Sequence, residues 1–122
     1  MRAESRQRLI VLAAAGLIAG CAASTVDVRE AGRRTDMDSA NPPYTAINCV
    51  VRKLEPARTG MIAQIRQSGP REQYEAAIRI LDDTVAVIDA APAAGGSKLT
   101  VWRSPAFHGP READFLATAQ GC

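Results

Sequence analysis

The apolar and polar positions of the 122-residue chain fall into three successive regimes. From Leu9 to Ala19 the run LIVLAAAGLIA is apolar on every side and shows no amphipathic period. From Ala22 to Pro43 the sequence AASTVDVREAGRRTDMDSANPP mixes charge with small residues and holds few apolar ones. Burying so little apolar surface does not offset chain entropy, so a disordered tether is predicted, closed by the extended backbone of Asn41-Pro42-Pro43. Beyond it the spacing turns periodic, and residues 44–122 are expected to form one small domain.

Within that domain the period runs from helical to alternating and back. Ile47, Val50, Val51 and Leu54 recur at helical spacing in YTAINCVVRKLE, and Glu55-Pro56 ends the helix. TGMIAQIRQ alternates Met61, Ala63 and Ile65 against Gln64 and Arg66, the period of a half-buried strand. EQYEAAIRIL sets Tyr74, Ala76, Ile78 and Ile80 on one side with Glu75 and Arg79 on the other. Asp82-Asp83 turns the chain into TVAVIDA, and Pro92 to Ser97 returns it to KLTVWRS, where Leu99 and Val101 face away from Lys98, Thr100 and Trp102. In GPREADFLATAQGC, Pro110 suits a first helical turn, Glu112 and Asp114 its positive end, and Gly121 its stop, with Phe115, Ala119 and Cys122 on one face. The prediction is an α+β two-layer sandwich: a four-stranded antiparallel meander with an N-terminal and a C-terminal helix on one face.

Charge changes the picture at the N-terminus. The formal charge is +2, but from Cys21 onward 12 basic residues balance 12 acidic ones, because Arg2, Arg6, Arg8 and Glu4 all precede it. A neutral domain lacks the basic excess that displaces counterions from phosphate, which argues against nucleic acid as a partner. The basic head, followed by an apolar segment too short to span about 30 Å of hydrocarbon as a lasting helix, has the layout of a secretory signal peptide.

Ile18-Ala19-Gly20-Cys21 then resembles the lipobox of bacterial lipoproteins. Small residues at Ala19 and Gly20 admit an extended backbone to a protease, and cysteine alone offers a thiolate for thioether formation. The resemblance implies removal of residues 1–20 as a signal peptide and attachment of a diacylglyceryl group and a further acyl chain, such as palmitate, at Cys21. The mature chain would thus be held on a membrane in the cell envelope. Ala22, standing where an aspartate marks inner-membrane retention, implies the periplasmic face of the outer membrane in a Gram-negative cell. Residues 21–43 would then serve as lipidated N-terminus and tether, holding the domain roughly 25 Å from the bilayer.

With Cys21 lipidated, Cys49 and Cys122 remain, and an oxidising periplasm favours a disulfide between them, contributing up to about 4 kcal/mol in the chain-entropy model. On an ideal helix Cys49 falls away from the stripe of Ile47, Val51 and Leu54, so it points sideways toward a neighbouring helix. The two-cysteine domain with its terminal Gly121-Cys122 is also similar to small uncharacterised proteobacterial lipoproteins, a likeness that implies no activity.

Candidate chemistry is sparse. His108 is the single histidine and lies in SPAFHGPRE without a nucleophile motif, so no catalytic residue, cofactor or metal site is assigned. Asp82-Asp83 reads as turn chemistry, and AAPAAGGSK as a hairpin that lacks phosphate-loop spacing. Asp89 ends an apolar strand and is expected to need a partner such as Arg103. Trp102 is expected on the uncovered sheet face beside Ala77, Ala86 and Ile88, an apolar strip that would mark a partner site, unless the long turn covers it or a bulge rotates it inward. Trp102, Phe107 and His108 are therefore the candidate interaction residues. The expectation is a non-enzymatic envelope module whose sheet face or edge contacts another envelope protein. The alternative is a periplasmic enzyme or enzyme inhibitor using the Ala106–Arg111 loop, with His108 as acid–base group or Phe107 as plug.

Overall fold

The computed structural model describes residues 24–122. Among these residues the chain forms helix α1 (Thr25–Ala31), strand β1 (Arg33–Ser39), helices α2 (Pro43–Leu54) and α3 (Pro56–Thr59), strands β2 (Met61–Gly69), β3 (Gln73–Ile80), β4 (Asp83–Ala93) and β5 (Gly96–Arg103), and helix α4 (Pro110–Gln120). The strands make one antiparallel sheet in the order β1-β5-β4-β3-β2. The expected four-stranded meander, β2 to β5, is therefore only part of the sheet, and β1 adds a fifth strand beside β5.

That strand comes from the segment expected to be tether. Ser24 starts α1 with a capping box: its Oγ accepts from the Asp27 amide (3.3 Å) and its own amide donates to Asp27 Oδ2 (3.0 Å). Gly32 ends α1 by donating its N–H to the Val28 carbonyl (2.8 Å), and β1 follows at once. A Cβ at Gly32 would stand 2.1 Å from Val28 O and 2.5 Å from Arg103 O, so the handover from helix to sheet edge requires glycine. In β1 the half-buried Thr35, Met37 and Ser39 alternate with the exposed Arg34, Asp36 and Asp38. Ladder hydrogen bonds to β5 and the packing of Met37 against the core hold a strand whose composition alone reads as unstructured.

On one sheet face, α2 and α4 enclose the core; they are the two helices expected, but the described residues form four, α1 and α3 being the additions. Ile47 and Val50 of α2 and Phe115 of α4 meet Ile78, Ile88 and Leu99 of the sheet, all essentially without exposure. The buried stripe of α2 is Ala46, Ile47, Val50 and Leu54, with Val51 at its margin, so Cys49 lies on the flank. There it bonds Cys122, just past the end of α4, with Cα atoms 5.7 Å apart. The Cys122 carbonyl accepts from Ser39 Oγ and Asn41 Nδ2, both at 2.7 Å, which ties the chain end to the end of β1 as well.

The opposite face, expected to be uncovered, carries α1. Its one buried residue, Val28, sits over β4 and β5 at 1% exposure, and Val87 beneath has none. The expected Pro92–Ser97 turn is also shorter than anticipated. Strands β4 and β5 pair as far as Ala93 and Gly96, which leaves Ala94-Gly95 as a two-residue turn with Gly95 at φ +81°.

Candidate functional site

Sheet register builds the α1 face row by row. One row reads Gln64, Ala77, Val87, Trp102 and Arg34 across β2, β3, β4, β5 and β1; the next reads Arg66, Glu75, Asp89, Thr100 and Asp36. The second row would place two carboxylates side by side under a helix, and arginines resolve the repulsion. Arg29, from α1, donates through Nη2 to Glu75 Oε2 and to Asp89 Oδ1 (2.6 Å), and through Nε to Asp89 Oδ2 (3.3 Å). Arg66 Nε donates to Glu75 Oε1 (2.7 Å), and Trp102 Nε1 to Asp89 Oδ2 (3.1 Å).

Glu75 is only 3% exposed. Burial by itself pushes its carboxyl up, but the Arg66 and Arg29 hydrogen bonds and charges outweigh that and hold it below the ordinary glutamate value. The same pairs act on Arg29: desolvation pulls its guanidinium down, and Asp89 and Glu75 more than restore it. Each carboxylate oxygen of Glu75 and Asp89 thus accepts from a fixed donor. Such an arrangement clamps a short helix to a sheet and leaves the carboxylates poorly placed to take a proton from a substrate.

Several sequence-predicted residues sit differently from expectation. Trp102 is on the α1 face, but half-buried, with the Arg34 guanidinium 5.3 Å from its ring centroid. Ala77 shares its row through Val87, as expected, but Ala86 and Ile88 point to the opposite face and belong to the core, and Val28 of α1 packs over β4 and β5, so no exposed apolar strip of the expected make-up surrounds Trp102. Asp89 does not pair with Arg103, because alternation sends the two side chains to opposite faces. Arg103 instead donates to Thr35 Oγ1 (2.8 Å) and forms an ion pair with Glu112 at 3.3 Å, where Arg33 also binds. Phe107, a candidate plug, is 5% exposed and packs edge-on against Phe115 with ring centroids 5.9 Å apart. Arg33 donates to its carbonyl, so the loop is anchored at that point, while His108 beside it is exposed. Trp102 therefore lies on one sheet face and Phe107 in the core behind the other, and of the loop pair only His108 is exposed.

Two features went unread in the sequence. One is a hollow of about 360 Å³ where α2 passes into α3 beside α4, with Leu54, Met61 and Phe115 as an apolar floor and Lys53, Arg58 and Arg111 at its rim. The other is the contrast between the outer strands. Edge strand β1 carries Arg33, Arg34, Asp36 and Asp38 within seven residues, whereas β2 carries only Arg66 within nine. The charge count of each strand was legible, and the expected meander already made β2 an edge; that β1 would form the other edge in place of β5 was not.

Residues 1–23, on which the expected signal peptide and the expected lipidation of Cys21 fall, lie outside the described residues. Among the described residues, no helix is long and apolar enough to cross a membrane, and no group of three or more His, Cys, Asp or Glu side chains is placed to hold a metal ion. Comparison of the chain with protein-family models, with curated proteins and with solved structures finds no match in any of the three.

Proposed function

We propose that the protein is a lipid-anchored envelope module that receives an extended segment of another envelope protein along the free edge of β2. The observation that carries this reading is the contrast between the two edges. A sheet edge presents a row of unpaired N–H and C=O groups, and charged side chains along it discourage another strand from adding. Strand β1 is guarded in this way; β2 is not, and its single charge, Arg66, is drawn across the face to Glu75. Strand addition gives affinity through the backbone and specificity through alternate side chains, so it needs neither a deep pocket nor a catalytic group. The lipobox-like Ile18-Ala19-Gly20-Cys21 supports the membrane half of the proposal.

The test is photocrosslinking in cells that produce the full-length chain. Photoreactive residues at Gln67 and Ser68 in β2 are expected to capture a protein partner, and the same residue at Arg34 or Asp36 in β1 is not. Lysines at the remaining exposed β2 positions should weaken the adduct. A set of β2 positions that captures no protein would overturn the reading, and mass analysis of the N-terminal peptide checks acylation separately.

A further inference from the structure

We infer that the domain rests on the bilayer through the face that carries α1, with α2 and α4 turned away from the membrane. The inference rests on the proposed acylation of Cys21 and adds an orientation to it. Residues 25–39 form helix α1 and strand β1 rather than a long tether, so the helix cap at Ser24 stands only three residues after Cys21. Three extended residues reach at most about 11 Å. Acyl chains hold the cysteine at the edge of the hydrocarbon, and the headgroup layer above it is roughly 5–8 Å thick. Only a few ångströms of slack remain, so the first turn of α1 emerges at the membrane surface.

The fold then decides what accompanies that turn. Thr25 borders a hollow with Gln64, Arg66, Glu75 and Ala77, which places the start of α1 at the β2–β3 side of the sheet face opposite α2 and α4. Val26 lies roughly 200° around the helix from the sheet-facing Val28, so it points outward from this face. Val26 is 58% exposed, and Ile62, which alternates with Ala63 onto the same face as Gln64, is 57% exposed. Two of the four large apolar side chains left exposed among the described residues therefore lie on the side nearest the anchor. The other sheet face, covered by α2 and α4, is the side such an anchor holds away from the bilayer.

Single-tryptophan quenching tests the orientation. The native chain has one tryptophan, so Trp102→Phe gives a silent background into which Val26→Trp, Ile62→Trp or Arg52→Trp is placed, Arg52 being an exposed residue of α2. The full-length chain, processed by a bacterial host and purified from its membranes, is reconstituted into phosphatidylcholine vesicles containing headgroup-spin-labelled lipid. Quenching several-fold stronger at positions 26 and 62 than at position 52 is expected. Inserting about twelve Gly/Ser residues between Ala23 and Ser24 adds roughly 20 Å of random-coil reach and should erase most of the difference. Should the tryptophan variants fold poorly, hydrogen exchange of the unsubstituted protein gives the same answer: residues 25–27 and 61–66 should be slower on vesicles than in detergent-released protein. Equal quenching or unchanged exchange in protein whose mass shows an acylated Cys21 would overturn the orientation and leave the anchor standing. An unmodified Cys21 would overturn both.

Discussion

Glu75→Gln keeps the shape of the most buried acidic side chain on the α1 face and removes its charge. In the parent, Arg29 and Arg66 each donate to one Glu75 oxygen, and the amide can accept from only one of them while its NH2 group confronts the other. A hydrogen bond to a charged partner contributes about 1.5–3 kcal/mol when shielded, and the Arg29 side chain, 31% exposed, belongs near the lower end. Arg66 is 68% exposed, so solvent screening reduces its pair to about 0.5 kcal/mol. The expected loss is about 2 kcal/mol in urea denaturation at neutral pH. Because α1 buries only Val28, the loss should also appear locally, as faster amide exchange over residues 25–31 than over β3. Arg29→Met should recover most of the coupling in a double-mutant cycle. A Glu75→Gln protein within about 0.5 kcal/mol of the parent, with α1 exchange unchanged, would refute the view that this clamp holds the helix.

The same carboxylate predicts a pH dependence: its folded value is depressed, so its stabilisation is fully present above the ordinary glutamate value of about 4.3 and fades as pH falls through the folded value. The stability gap between parent and Glu75→Gln should therefore narrow progressively as pH falls below about 4.3, and a gap that stays constant throughout acidification would contradict the charge-based origin. Removing the Cys49–Cys122 bond, which spans 73 positions, should cost about 4 kcal/mol by loop entropy, measured as denaturation of Cys49→Ala/Cys122→Ala against parent; a loss under about 1 kcal/mol would mean that the reduced chain is already constrained. Gly32→Ala pushes a methyl group against two carbonyl oxygens and should destabilise by about 1–3 kcal/mol, with an unchanged urea midpoint as the contrary result.

The hairpins of β2 to β5 were readable because each depends on neighbouring residues: alternation through Tyr74, Ala76 and Ile78 and turn chemistry at Asp82 and Gly95 are local signals. Helices α2 and α4 were readable for the same reason, from the apolar stripe and from Pro110 and Gly121. The segment before Pro43 was misread because its support is remote. Met37 is its one substantial apolar contribution to the main core, and its backbone is satisfied by β5, far along the chain. Its weak local cues were present: Ser24 and Asp27 at capping spacing, Gly32 as a stop, and alternation of Thr35, Met37 and Ser39 with charged residues. Composition outweighed them. For the surface, the phase of β5 correctly put Trp102 opposite Leu99 and Val101. Its neighbours and the partners of Asp89 depended on inter-strand register and on a helix that the composition did not announce.

The pairing of β1 with β5 sets an order of events for the growing chain. Arg33 lies opposite Arg103 and Ser39 opposite Ser97, so the first strand to be synthesised must wait for the last before it has a neighbour. The cysteine bond imposes a similar delay, since Cys122 follows Cys49 by 73 positions. Contacts that close such long loops form late, after the local hairpins of β2 to β5. During synthesis the segment that holds β1 would emerge first and remain unpaired until β5 had followed, an interval in which a holding chaperone has something to bind and a protease something to cut.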